Sequence, residues 1–249
     1  MKNLKRMLIG VLTLVCIGAA AIGLGGCKKE AKRLDVKSYT ESSQGLEFEL
    51  KADEGFYEVT SIGTCTDEVV VIPATYQGFP VGTIGRSAFQ AADGVTGVII
   101  PASVKKIKDS AFLACADLVE VVMIGGVTEI ETCAFFNCIE LKYVELANSV
   151  TTIWKQAFGN CTELESIDLP NNITTIGHEA FTQCDSLEEL VLPASVKNIG
   201  GSAFSGCDKL ESITFKGTTQ AWEEIKKGYA LNDGTPVTEV TCSNGVATL

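Results

Sequence analysis

The apolar positions of this chain return at a fixed interval. The pair Ala-Phe stands at Ala88-Phe89, Ala111-Phe112, Ala134-Phe135, Ala157-Phe158, Ala180-Phe181 and Ala203-Phe204, each 23 residues after the last. Three residues after each Phe comes Ala92 and then Cys115, Cys138, Cys161, Cys184 and Cys207, followed by Val95 and then Leu118, Leu141, Leu164, Leu187 and Leu210. Ile107, Ile130, Ile153, Ile176 and Ile199 recur in the same phase. No unit this short can bury its own apolar face, so each must borrow its neighbours, and the pattern predicts a solenoid. In one coil, Leu164, Ile167 and Leu169 point inward from a short strand while Glu165, Ser166 and Asp168 face out. Pro170-Asn171-Asn172 then turns the chain, Ile173 and Ile176 line the interior, and Ala180-Phe181 pack across the back. Stacked about 5 Å apart in parallel, such strands form one curved sheet. Gly85, Gly177 and Gly200, after the second inward Ile, are expected to supply a corner with positive φ.

Both ends of the array carry caps. Leu46-Glu47-Phe48-Glu49-Leu50 alternates apolar and acidic residues, Asp53-Glu54-Gly55 turns, and Phe56-Tyr57-Glu58-Val59-Thr60 returns as a second strand. This hairpin would cover coils whose rungs otherwise face water. An insertion at residues 76–80 reads as a loop completing that cap, with a functional bulge as the alternative. At the far end Trp222 forms a lid on the final coil, residues 237–242 read as a last strand and residues 243–245 as a turn.

Ahead of the array, Lys2, Lys5 and Arg6 precede an apolar run over residues 7–24 that closes on Leu24-Gly25-Gly26-Cys27. The run alone fits a secretory signal or a short anchor. Its last four residues resemble the bacterial lipoprotein signal, which implies cleavage before Cys27 and a lipid on that thiol. Two acyl chains hold a protein at a bilayer without a transmembrane helix. The expected organisation is therefore a signal peptide over residues 1–26, a flexible tether over 27–45, and a repeat domain with N- and C-terminal caps over 46–249.

Charge narrows the partners. The chain carries 20 basic and 31 acidic side chains; removing residues 1–26 removes three bases and no acid, leaving a net charge of −14. No nucleic acid is expected on such a surface, and contact with a membrane is expected through the lipid alone. The cysteine column has the phase of inward residues and reads as buried free thiols, since a linear column does not converge four ligands on a metal. No cofactor and no metal are expected. The lone histidine, His178, sits at an outward position whose equivalents are Arg86, Asp109, Thr132, Lys155 and Gly201, and the repeat brings no nucleophile beside it, so the chain does not read as an enzyme.

The unit Cys-x-x-Leu-x-x-Ile-x-Leu-Pro-x-x-(Val/Ile)-x-x-Ile-Gly-x-x-Ala-Phe, fullest over residues 161–181 and 184–204, resembles the leucine-rich repeat of the BspA type. The resemblance covers about residues 46–245 and implies a protein of the bacterial cell surface, in some members an adhesin. It carries over no catalytic residue. Departures are Ala92 in the cysteine column, Gly94-Val95-Thr96-Gly97 in place of a Leu-Glu opening, and Ile124-Gly125-Gly126 in place of Leu-Pro-x.

Two functions follow as expectations: a lipid-anchored, monomeric module whose concave strand face binds an extracellular protein or glycan, or an envelope-associated structural repeat protein without a tight ligand. The candidate binding face grades from Ile99, Val119, Val122 and Tyr143 on the first coils to Glu145, Glu165, Asp168, Glu188 and Glu189 on the later ones. An aromatic beside charges of one sign is a common beginning of an interface.

Overall fold

In the computed structural model the described residues are 33–249; Cys27 and the rest of the expected signal lie outside them. Each coil contributes two short strands, and in the regular coils these pair in parallel with counterparts 23 residues on, except between Ser166–Ile167 and Glu189–Leu192, where the front ladder is interrupted. The first strands make a front ladder: Val69–Val71, Gly97–Ile100, Glu120–Met123, Tyr143–Glu145 and Ser166–Ile167 in one five-stranded sheet. A four-stranded sheet continues it with Glu189–Leu192, Ser212–Phe215, Glu239–Cys242 and the antiparallel Gly245–Thr248. The second strands, together with three strands of the N-terminal cap, make a ten-stranded back sheet, the back ladder, in which Ile84, Ile107, Ile130, Ile153, Ile176 and Ile199 stand in register.

The solenoid is thus as the 23-residue pattern predicts, but the single curved sheet is not. Two-residue strands such as Lys106–Ile107 are too short to show alternation, so their pairing is invisible until the coils are stacked. Between the ladders lies one continuous core, with the six repeat phenylalanines and the five column cysteines buried. The rings stack coil on coil, with centroids 4.8 Å apart at Phe89–Phe112 and 6.3 Å apart at Phe181–Phe204.

The Ala-Phe corner is built by residues other than glycine. Ser110 and Ala114 flank one copy with φ of 58° each, and Cys133 and Asn137 flank the next with φ of 55° and 62°. Gly85, Gly177 and Gly200 are not among the residues with positive φ, which corrects their expected role. A Cβ on Gly177 would lie 2.5 Å from the carbonyl carbon of Trp154, and one on Gly200 would lie 2.2 Å from the backbone nitrogen of His178. These glycines allow close approach of neighbouring coils rather than an unusual turn.

The N-terminal hairpin, Glu47–Lys51 with Phe56–Ser61, joins the back ladder through the parallel pairing of its second strand with Phe79–Ile84. The insertion folds back as Thr75–Tyr76 against that same strand, turning at Gln77 and Gly78 with φ of 47° and 86°. Tyr76 stacks on Phe48 at 4.1 Å and meets Tyr57 edge-on at 5.0 Å, so the insertion completes the cap. Buried under it, Glu58 accepts from Thr83 at 2.8 Å and pairs with Lys108 and with Lys51. Burial alone would raise this carboxyl, but the hydrogen bonds from Lys108 and Thr83 outweigh it and hold Glu58 below its usual value. At the other end Thr218 caps the helix Thr219–Glu224, which seats Trp222 1% exposed on Phe215 at 5.6 Å. Its indole Nε1 donates to the Thr248 carbonyl at 3.1 Å, and the lid is in place as expected.

Candidate functional site: the front strand face

Strand alternation sends two columns of side chains away from the core on the front ladder. One runs through Val69, Gly97, Glu120, Tyr143 and Ser166, the other through Val71, Ile99, Val122 and Glu145. Glu145, Glu165, Asp168, Glu188 and Glu189 are exposed, as the sequence suggests. Tyr143 and Val119 are half-buried. Ile99 and Val122 are each only 2% exposed, although neither belongs to the core between the ladders. They point outward, as expected, yet they are not available as they stand.

Residues 33–45, part of the expected tether, lie along this face and meet its Val71, Gly97, Glu120 and Tyr143. At one end Ser43 donates its backbone N–H to the Val71 carbonyl at 2.9 Å and accepts from the Val71 N–H on its hydroxyl at 3.0 Å. At the other end Arg33 Nε donates to Glu120 Oε1 at 2.7 Å and the Leu34 N–H donates to Glu120 Oε2 at 2.7 Å. The Arg33 guanidinium also sits 4.8 Å from the centre of the Tyr143 ring. Glu120 is 5% exposed, and a carboxylate so enclosed needs partners of this kind. The sequence signal missed here was local: residues 33–45 hold few apolar side chains, but Leu34, Val36 and Tyr39 become half-buried against a face whose own residues are apolar.

Beside Arg33 the face opens into a groove of about 560 Å³, lined among others by Tyr143, Glu145, Ser166, Asp168 and Lys216. Its charged residues are two acids, Glu145 and Asp168, and two bases, Arg33 and Lys216. A second, smaller cleft of about 280 Å³ lies on the back ladder, where the half-exposed Trp154 stands with Arg86, Asp109, Glu129 and Glu131. Trp154 Nε1 donates to Glu129 Oε2 at 3.3 Å. The hydrogen bond from Lys106 is the largest influence on Glu129 and holds its carboxyl below the usual range. Arg86, Asp109 and Thr132 share the outward repeat position of His178, but Glu129, Glu131 and Trp154 join them only when the coils stack, so the cleft has no local sequence signal.

His178 places Nε2 3.2 Å from the Tyr229 hydroxyl and Nδ1 3.4 Å from Glu179 Oε2, the latter too poorly aligned for a hydrogen bond. The column cysteines are all free and buried. Burial pushes the Cys161 thiol up to about 12, so it is no nucleophile at neutral pH.

Residues 82–211 and 153–249 match the model of the BspA type leucine rich repeat region, in six copies. No curated protein matches the chain. Among solved structures, the leucine-rich repeat protein of T. pallidum is 25% identical with a TM-score of 0.54, the match covering 77% of this chain and 82% of that one. A leucine rich cell surface protein from Faecalibacterium prausnitzii is 30% identical with a TM-score of 0.57, over 70% of this chain and 54% of that one. A leucine-rich repeat protein from Bacteroides ovatus is 25% identical with a TM-score of 0.57, over 81% of this chain and 47% of that one. The chain thus spans about half the length of the last two.

Proposed function

Since the chain belongs to the family with BspA type leucine-rich repeats, we propose that it is a binding module of the bacterial cell surface, held there by a lipid on Cys27, whose front strand face meets an extracellular protein. The observation that carries the reading is the stiff, in-register front face with its open groove beside Tyr143. A stack of strands presents such a surface with little ordering cost on binding. The resemblance to a cell surface protein of Faecalibacterium prausnitzii supports the location. No helix among the described residues is long and apolar enough to cross a membrane; the proposed anchor is supported by the resemblance of Leu24 to Cys27 to a lipoprotein signal.

The test is a titration of the purified chain, from residue 28 onward, against immobilised matrix proteins, glycans and envelope fractions. Saturable binding of a protein that competes with a substitution-sensitive front face supports the module. The covering of Ile99 and Val122 favours the second reading, an envelope repeat protein with no tight ligand. Absence of any saturable partner across the panel would decide for it. Mass spectrometry of the cell-purified protein checks the anchor: the expected N-terminus is a lipid-modified Cys27, and an unmodified thiol there would reject it.

A further inference from the structure

We propose that Glu120 and Tyr143 form a recognition site for an arginine followed by an apolar residue on an extended peptide, and that the chain's own Arg33-Leu34 occupies it as an internal competitor. The inference rests on the reading of the front face as a protein-binding surface and names what that surface selects.

The recognition chemistry is on the page. One oxygen of Glu120 takes the Arg33 Nε at 2.7 Å and the other takes the backbone N–H of the next residue at 2.7 Å. The carboxylate therefore reads a side chain and the main chain at once, which fixes the direction of the bound peptide. Tyr143, one coil on in the same outward column, offers its ring to the guanidinium at 4.8 Å. Gly97, one coil back in that column, leaves room for the residue after the arginine: a Cβ there would lie 2.9 Å from Leu34 Cδ1. Thus Gly97, Glu120 and Tyr143 on three successive coils accept Leu, the amide and Arg in order. Gly97 is one of the positions at which this chain departs from the regular repeat, and the departure is what makes the apolar seat.

The occupant is held at its two ends. Ser43 is bonded to Val71 and Arg33-Leu34 to Glu120, while Lys37, Ser38 and Tyr39 donate to Asp35 and Val36 of their own segment. The Arg33 side chain remains half exposed, 51%, with the groove beside it and the exposed acids Glu165, Glu188 and Glu189 further along the face. An incoming basic peptide can meet the acidic face first and then exchange for Arg33. A tethered competitor acts at an effective concentration of about millimolar, so its release should strengthen binding by a large factor.

The experiment uses a fluorescein-labelled peptide with the sequence of residues 31–43, its copy with alanine in place of the arginine, and the full chain as wild type, Arg33→Ala, Arg33→Ala with Glu120→Gln, and Arg33→Ala with Tyr143→Ala. Anisotropy reads peptide binding, and amide hydrogen exchange over residues 34–43 reads release of the segment. Arg33→Ala is expected to speed that exchange at least tenfold and to bind the arginine peptide at least tenfold tighter than wild type does. The alanine peptide should bind at least tenfold more weakly, and each double variant should lose most of the gain. Tyr143→Ala, at a half-buried surface position, serves if Glu120→Gln disturbs folding, which circular dichroism would report. Unchanged exchange in Arg33→Ala, equal binding of the two peptides, or no binding to the opened chain overturns the proposal. A surface partner that binds equally well to the Glu120→Gln chain would sink the arginine site while leaving front-face binding intact.

Discussion

At the scale of single residues, the cysteine column shows why one small side chain recurs at one position. Each thiol donates to the carbonyl of the phenylalanine in the coil before, from Cys115 to Phe89 at 2.9 Å through Cys161 to Phe135 at 3.2 Å to Cys207 to Phe181 at 3.0 Å. The donor is always 26 residues after the acceptor. Before position 92 the insertion shifts the spacing, with Val69 opposite Gly97, and the corner of the coil before carries Ile62 where later coils carry phenylalanine; there the column has alanine. The burial of this column is legible from the phase of the sequence; its hydrogen bond is not, because the partner belongs to the previous coil. Cys161→Ala is expected to destabilise by about 1–2 kcal/mol, through a lost donor and a small cavity. Urea unfolding measures it, and a cost near zero would mean the thiol contributes volume alone. With the Cys161 thiol pushed up to about 12 and enclosed, alkylation at pH 8 should leave Cys161 unmodified in the native chain and modify it on unfolding.

At the scale of elements, repeat strands and caps were readable because their signals are redundant. Six coils repeat the inward positions, and the cap hairpin alternates apolar with acidic residues. Phe181, stacked between Phe158 at 5.6 Å and Phe204 at 6.3 Å, is the test of that reading. Phe181→Ala should cost about 3–5 kcal/mol, whereas exposed Glu165→Ala should cost less than about 0.5 kcal/mol. Equal urea midpoints for the two would place the inward phase wrongly. The 33–45 segment was unreadable for the opposite reason: alternation tells which strand face points away from the core, but not whether another part of the chain lies on that face. A glutamate at Glu120 looks like solvent-facing charge until Arg33 and Leu34 close over it. The cap also fixes a pH dependence. Glu58 titrates below its ordinary value of 4.5, so its contribution is complete above that pH and is lost as the pH falls through its lowered value. Glu58→Gln should therefore cost about 1–3 kcal/mol at pH 7 and progressively less on acidification below about 4.5. A difference between the two proteins that held constant down to pH 2.5 would remove Glu58 as the cause.

Across the whole molecule, the exact repeat that builds the core also stacks like charges outside it. Glu165, Glu188 and Glu211 occupy one position in three successive coils, and the Glu211 N–H donates to the Glu188 carbonyl at 3.0 Å. Carboxylates one coil apart repel, and Glu188, flanked on both sides, bears the most of it. Like charges facing each other on neighbouring strands are worth a few tenths to about 1 kcal/mol against the fold. The same charges continue the front face beyond the groove, where they raise the local concentration of a basic partner and speed its encounter. Stability and association therefore pull Glu188 in opposite directions. Glu188→Gln is expected to stabilise the chain by a few tenths of a kcal/mol at low salt and to slow association of the arginine peptide with the Arg33→Ala chain about twofold, leaving dissociation nearly unchanged. Both effects should fade as salt approaches about 0.5 M, since exposed charges are then screened within a few ångströms. Thermal unfolding and stopped-flow anisotropy at two salt concentrations read the pair. If stability rose while the association rate stayed the same, the acidic columns would be a cost of repetition without a part in recognition.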